Sequence, residues 1–398
     1  MTDLGPLEEL KRKKLWHQLT EEILQYIDNH EEMDLTSLYE TIVNGLFPYM
    51  NEMKWAKIVT TIAKTTPNPV SFLAKIRGTF DEQMKMNHLD SYLIITLSIA
   101  QHLQFTDEGT LEESSSSSTS SSTGFISMLK GRELADQLIS EVTPLIEERI
   151  GYVNPTIHLS LEAPVEEPVV ALYHLVIAEK CQLSHDFLGF YHHMLQYLSR
   201  TPMKQIKLKV QREIAKSLAV SAIVSPSLYT FGELASHPLF QSLKGTEDEW
   251  LHELVLIFDE GDSQKYKKFI TEHDAVMRTQ PILLEHSSVL RDKLRVASIV
   301  SYVFSLPVEK RVISFEDVQR VAQVSPAMVE FLVLKSFATG IITGRIDEIE
   351  KLVVITDIKP RMLSRFHVAQ MEKKVTAWSE RAADSLHFLQ ATMNSARN

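Results

Sequence analysis

Histidine and cysteine are the residue types here best suited to bind a metal or to act as base or nucleophile, so their spacing is tested first. The chain has 15 histidines and one cysteine. His174, His185, His192 and His193 form the one histidine cluster, and His185 and His192 stand seven residues apart, close enough to share a helix face. A structural zinc site needs four ligands, and no ligand carboxylates accompany this pair. The cluster reads as surface or half-buried polar groups. His252-Glu253 is followed by Leu254, Val255 and Leu256, so the second histidine of a His-Glu-x-x-His zinc helix is missing. Cys181 can form neither a disulfide nor a thiolate zinc site within this chain, and no His-Asn or His-Asp arrangement can be placed beside it; a buried structural thiol is expected. There is no Gly-x-Gly-x-x-Gly, no Gly-x-x-x-x-Gly-Lys-Ser/Thr and no Gly-x-Ser-x-Gly. The residues therefore offer no catalytic, cofactor-binding or metal site, and no enzyme is expected.

The composition narrows the remaining classes. With 41 basic and 52 acidic residues in 398, the net charge is −11. Such a chain repels a phosphate backbone unless its cations gather on one face. Hydrophobic residues at 44% and charged residues at 23% give the balance of a soluble globular protein with enough apolar material for a core. The charge-free runs Ser91–Thr106 and Ser217–Gly232 are 16 residues each, short of the roughly 20 that span a bilayer. They read as buried helices. The first residues lack a basic start and an apolar centre, so no secretory signal is expected. A single thiol fits a reducing compartment. One basic stripe, Lys204, Lys207, Lys209, Arg212 and Lys216, reads first as a solvated face and more sharply as a docking surface for an acidic partner.

These residues must be positioned by helices. Leu15, Leu19, Ile23 and Ile27 recur at helical spacing, as do Leu35, Tyr39, Ile42, Val43 and Leu46 up to Pro48. Trp55, Ile58, Val59 and Ile62 follow, then an Asn68-Pro69 start leading to Val70, Leu73, Ile76 and Phe80. Helix starts every 15–25 residues suit stacked helical hairpins without a strict repeat signature. Ser114–Thr123 has no apolar residue and reads as a flexible surface loop. Helices are expected to resume at Glu133, with Thr246 and Glu249 as a capping-box pair and Gly261 as a helix stop. The expected segments are helical repeats over 1–105, a serine-rich loop over 106–130, further helical repeats over 131–285, a unit over 286–358 and a last helix over 359–398.

From about residue 288 the order becomes helix, strand, helix, helix, strand, strand, which is that of a winged helix. Winged helices often bind DNA. Between Glu285 and Lys359, however, ten basic residues balance ten acidic ones. The second helix of the helix-turn-helix offers Val329, Glu330, Phe331, Leu332, Val333 and Leu334 with Lys335 as its one cation, a helix built to be buried rather than to read bases. Met371, Val375, Trp378, Ala382, Leu386, Leu389 and Met393 recur along the last helix. That stripe suits packing against other chains, with folding back onto its own domain as the alternative.

A helical array running into a winged helix with an apolar recognition helix resembles the PCI family, which serves the proteasome lid, the COP9 signalosome and translation initiation factor 3. The segments Lys13–Thr20, Tyr229–Leu234 with His237-Pro238, Glu249–Leu251, Ser314–Asp317 and Gly340–Glu348 resemble the lid members in particular. The resemblance implies a mostly α fold, a right-handed helical-hairpin solenoid followed by a winged helix and a long C-terminal helix, with the helical part of the PCI module starting near residue 180. It implies a non-catalytic lid scaffold in the cytoplasm and nucleus. The implied partners are other lid subunits, PCI neighbours and deubiquitinase subunits among them, with no membrane, no nucleic acid and no self-association. It implies contacts through the wing (Ile341, Ile342, Ile346, Val353, Ile355) and through the C-terminal helix (Met371, Val375, Trp378, Leu386, Leu389, Met393). The residues themselves leave open a PCI subunit of the signalosome or of the initiation factor, and a nucleic-acid-binding winged helix.

Overall fold

The computed structural model describes residues 5–30, 35–80, 85, 87–105, 122–150, 165–278, 280–306, 311–359 and 365–397. The chain is mostly helical, and it divides into two compact units, Met1–Gln205 and Ile206–Asn398.

The first unit begins with α1 (Gly5–Arg12) and α2 (Trp16–Asn29). The apolar stripe from Leu35 to Leu46 forms no regular helix. One α turn, Thr36–Leu38, widens into a π turn, Tyr39–Val43, and a 3₁₀ turn, Phe47–Tyr49, follows. Gly45 in the left-handed region (φ 82°) and Pro48 end the helical run, yet Leu38, Ile42, Val43 and Leu46 are still buried. Asn51 caps α3 (Glu52–Thr65), its side chain accepting from the Met53 and Lys54 amides. Asn68 stands at the cap of α4 (Pro69–Arg77) without a side-chain bond, the first-turn proline setting the start instead.

At the centre lies α5 (Leu89–Phe105), buried without interruption from Ser91 to Ala100. It packs on α3 and α4, and on the following helices α6 (Ser122–Ile150) and α7 (Glu167–Leu183). That explains its charge-free composition. Among the described residues no single helix is long and apolar enough to cross a membrane. The serine tract lies outside the described residues up to position 121, and α6 starts at Ser122 rather than Glu133. Arg77 donates to Glu141 at 2.9 Å and the Tyr92 hydroxyl donates to the same carboxylate at 2.6 Å, tying α4 and α5 to α6. Helices α7 and α8 (Phe187–Arg200) form a hairpin.

The second unit opens with α9 (Leu208–Val224) and the short helices Gly232–Ser236 and Pro238–Gln241. Then come α10 (Glu249–Glu260), α11 (Ser263–Glu272) and α12 (Ser287–Ser305). Thr246 and Glu249 form no capping box, because the helix starts at Glu249 itself. Thr246 accepts from the Asp248 amide, and the Glu249 carboxylate accepts from the Gly245 amide at 3.2 Å. Gly261 ends α10 in the left-handed region (φ 71°) and is needed twice over, since an added Cβ would stand 2.6 Å from the Ala297 carbonyl oxygen of α12.

The winged helix is complete. It comprises β1 (Val312–Ser314), α13 (Phe315–Ala322), α14 (Pro326–Ala338), β2 (Ile342–Asp347) and β3 (Leu352–Ile358). Ser314 and Asp317 form a reciprocal capping box at α13, as the sequence predicts, and α13 meets α14 at 88°. Ser325 stands at the cap of α14 without a side-chain bond, ahead of Pro326. The sheet is antiparallel in the order β1-β3-β2, with Arg345 opposite Val354 and an irregularity between Thr343 and Gly344. The final helix is α15 (Arg365–Arg397).

Candidate assembly interface

The histidine cluster is only partly assembled. His185 lies in the turn between α7 and α8 (φ 57°), outside either helix, so it shares no helix face with His192. His174 and His193, on the two arms of that hairpin, face each other instead with their Nδ1 atoms 3.1 Å apart. Burial lowers the pKa of His174 to about 4, helped by the His193 ring, and burial also lowers that of His193. Two neutral rings can share one proton between these nitrogens, whereas two imidazolium ions would repel. Among the described residues no group of three metal-ligating side chains comes together. Cys181 is half-buried rather than buried, and its thiol pKa is raised first by burial and then by Asp186, which favours the protonated form.

The wing is built from the expected residues, but they face inward. Ile341, Ile342, Val353 and Ile355 are buried in one core with Val296, Ile299 and Val318, and Ile346 packs against it. The side chains of Ile341, Ile342, Val353 and Ile355 therefore serve this unit's own core, with Ile346 partly buried against it, which leaves contact with a neighbour to the backbone. In a small three-stranded sheet the apolar face must cover its own helices, each buried Ile or Val contributing about 1.5–3 kcal/mol. What β2 retains for a neighbour is backbone, because it is an edge strand of the order β1-β3-β2.

The recognition helix departs from expectation in the other direction. Val329, Leu332, Val333 and Ser336 are buried, while Met328, Phe331 and Leu334 are exposed, Phe331 at 53%. Only half of α14 is a core helix. Its one cation, Lys335, donates to Asp292 of α12 at 2.7 Å. The fold thus spends on an internal ion pair the charge that a DNA reader would direct at phosphate.

On α15 the apolar stripe is open. Met371, Val375, Trp378, Leu386 and Leu389 are exposed, together with Phe388, which the periodicity did not single out; Trp378 is 67% exposed. Every described side chain from Met371 to Gln390 is exposed, so the fold-back alternative is not what the structure adopts. Met393 lies among the side chains outside the described residues. A stripe of this length, on a helix of 33 residues, is a surface that water covers poorly.

The segment Tyr229–Pro238, singled out by resemblance alone, lays two aromatic rings beside a residue that sequence reading missed. Lys293 of α12 is 1% exposed. Its ammonium donates to the carbonyls of Ala222 (2.6 Å), Ile223 (3.1 Å) and Ser225 (2.6 Å) at the C-terminal end of α9. It also lies 5.0 Å from the Phe231 ring centroid and 5.6 Å from that of Tyr229. Burial pulls its pKa down to about 7. The signal available in sequence was its place in the apolar stripe of α12, where Leu290, Leu294 and Ala297 surround it.

The family described as PSD13 N-terminal repeats matches residues 4–132 and 135–255. The chain belongs to the PSD13 family. A PCI domain matches residues 269–357 of this PSD13-family chain, beginning at the end of α11 and closing with β3. The chain is similar to the probable 26S proteasome regulatory subunit rpn9 of Schizosaccharomyces pombe, 27% identical over 94% of this chain and 87% of that protein. It is also similar to the 26S proteasome non-ATPase regulatory subunit 13 of Dictyostelium discoideum, 26% identical over 97% of this chain and 92% of that protein. Likeness to the eukaryotic translation initiation factor 3 subunit M of Aspergillus clavatus is narrower, 23% identical over 57% of this chain and 48% of that protein. The PSD13-family repeats include Phe231–Pro238 and the Lys293 contacts on α9, whereas Lys293 itself comes from the PCI part.

Proposed function

We propose that the chain is a non-catalytic structural subunit of the 26S proteasome regulatory-particle lid, acting in ubiquitin-dependent protein degradation. The observation that carries this reading is α15, a 33-residue helix whose Met371, Val375, Trp378, Leu386 and Leu389 are all exposed. A helix of that kind gains its stability by joining helices of other chains. The names of relatives along nearly the full chain support the 26S proteasome as the complex that supplies them. The backbone edge of β2 offers a second contact, extended by a neighbouring PCI subunit's strand. The partners are then PCI neighbours and deubiquitinase subunits of the lid, the chain does not associate with itself, and it resides where proteasomes work, in cytoplasm and nucleus.

The test is truncation before Arg361. The shortened chain keeps the cores of both units and should melt as they do, yet fail to co-purify with proteasomes. Recovery at the full-length level would refute the bundle role. Recovery of initiation-factor subunits instead would favour the narrower likeness to subunit M.

A further inference from the structure

Two apolar strips stand open in the second unit, and their spacings match. On α14 the exposed side chains Ala327, Phe331, Leu334 and Ala338 follow one another at steps of 4, 3 and 4. On α15 the exposed side chains Met371, Val375, Trp378 and Ala382 follow the same steps. Phe331, Leu334, Met371, Val375 and Trp378 are each more than half exposed. Alternating steps of three and four mark the line along which one helix packs on another.

The chain path sets the direction in which the strips can meet. The Lys359 amide donates to the Ile341 carbonyl at 2.7 Å, so β3 returns the chain to the C-terminal end of α14. Six Cα steps, at most about 20 Å, join Lys359 to Arg365. A parallel arrangement would set Arg365 beyond the far end of α14, about 25 Å away at the rise of a helix. An antiparallel one starts within reach. The steps read the same in both directions, so a single antiparallel register pairs Ala338 with Met371, Leu334 with Val375, Phe331 with Trp378 and Ala327 with Ala382.

In the structure α15 is open. We propose that in the free chain α15 also closes onto α14 in this register, as an internal cap over both strips. Closure takes two water-facing apolar surfaces out of solvent at once. The short connection holds them at an effective concentration of about millimolar, so weak packing suffices. Phe331 and Trp378 add a contact between rings. Closure engages the side chains that a helix bundle would use, so the cap and the bundle exclude each other. That competition rests on the lid reading, whereas closure is a property of the chain alone.

The experiment is thiol cross-linking of the purified, dilute full chain with a short bismaleimide, in a Cys181→Ser background. One variant carries Leu334→Cys with Val375→Cys, the other Leu334→Cys with Leu389→Cys, which lies nearly four turns further along α15. The first pair should give the monomeric cross-linked product about tenfold faster than the second, and adding Phe331→Glu should abolish that advantage. Equal rates for the two pairs, a rate indifferent to Phe331→Glu, or products formed only between molecules would each overturn the proposal. If the cysteine pairs disturb folding, tryptophan emission decides. Phe331→Glu alone should move the emission of the free chain to longer wavelength, and should leave it unmoved once Trp378→Phe is present. Emission unmoved by Phe331→Glu, or moved equally in both backgrounds, would overturn closure. Failure to co-purify with proteasomes would bear on the lid reading and leave closure standing.

Discussion

The Lys293 ammonium donates to the Ser225 carbonyl at 2.6 Å, so a charge in the core of the second unit is held by the end of a helix and not by a carboxylate. Two carbonyls of the last turn of α9 and that of its capping residue Ser225 are satisfied by one side chain of α12, and the Phe231 ring lies beside it. Lys293→Met keeps the unbranched stem of the side chain, one atom shorter, and removes the donors. It is expected to lower stability by about 2–4 kcal/mol, since buried carbonyls lose charged hydrogen bonds. Denaturant titration of the full chain measures it, and a loss below about 0.5 kcal/mol would show that the ammonium is not a structural link.

Glu179 supplies a pH dependence of one sign. Burial raises its pKa to about 7, opposed by the Gln101 amide, which donates to Oε1 at 2.9 Å, while Oε2 is buried without a partner. The folded chain therefore holds this proton more tightly than the unfolded chain, whose carboxyl keeps its ordinary value of 4.5. The resulting stability is complete below pH 4.5 and is lost as pH rises through 7. Glu179→Gln should stabilise the chain by about 1–2 kcal/mol at pH 8 and leave it little changed at pH 5. Equal effects at both pH values would contradict the assignment.

His174 and His193 supply the opposite sign. The folded-state pKa of His174 is depressed to about 4 from an ordinary 6.5, and that of His193 is depressed too. Their contribution is present above pH 6.5 and is lost as pH falls toward 4, when the facing rings must charge. The double substitution His174→Gln, His193→Gln should reduce the acid sensitivity of the melting midpoint between pH 7 and 5, by about 1 kcal/mol of stability. A variant with the acid profile of the parent would show that this pair does not titrate on unfolding.

Two glycines of the wing should behave differently. At Gly344, beside the irregularity of β2, a Cβ would collide with the Val354 carbonyl oxygen of β3. At Gly340 the backbone is left-handed (φ 68°), with nothing within 4 Å of an added Cβ. Gly340→Ala is expected to cost about 1 kcal/mol through the backbone alone. Gly344→Ala should cost about 2 kcal/mol or more, because neighbouring strand backbone must move. Thermal melts of the two variants give the comparison, and a reversed order would mean that β2 yields more readily than its pairing suggests.

Local pattern was enough for much of this protein. The period of Trp55, Ile58, Val59 and Ile62 is that of α3, the Ser314–Asp317 pair caps α13, and Gly261 ends α10. These features depend on neighbours within a few residues, which sequence displays directly. The order of helices and strands from Leu290 to Ile355 likewise sufficed for the winged helix. Sidedness was decided only by tertiary packing. Apolar character does not say whether a strand spends its side chains on its own core, as Ile342 and Val353 do, or on a partner, and it split α14 into buried Leu332 and exposed Phe331. The Lys293 link and the His174–His193 pair were equally hidden, because each joins residues from separate helices. A hydrogen bond between elements follows from the geometry of packing, and no spacing along the chain encodes it.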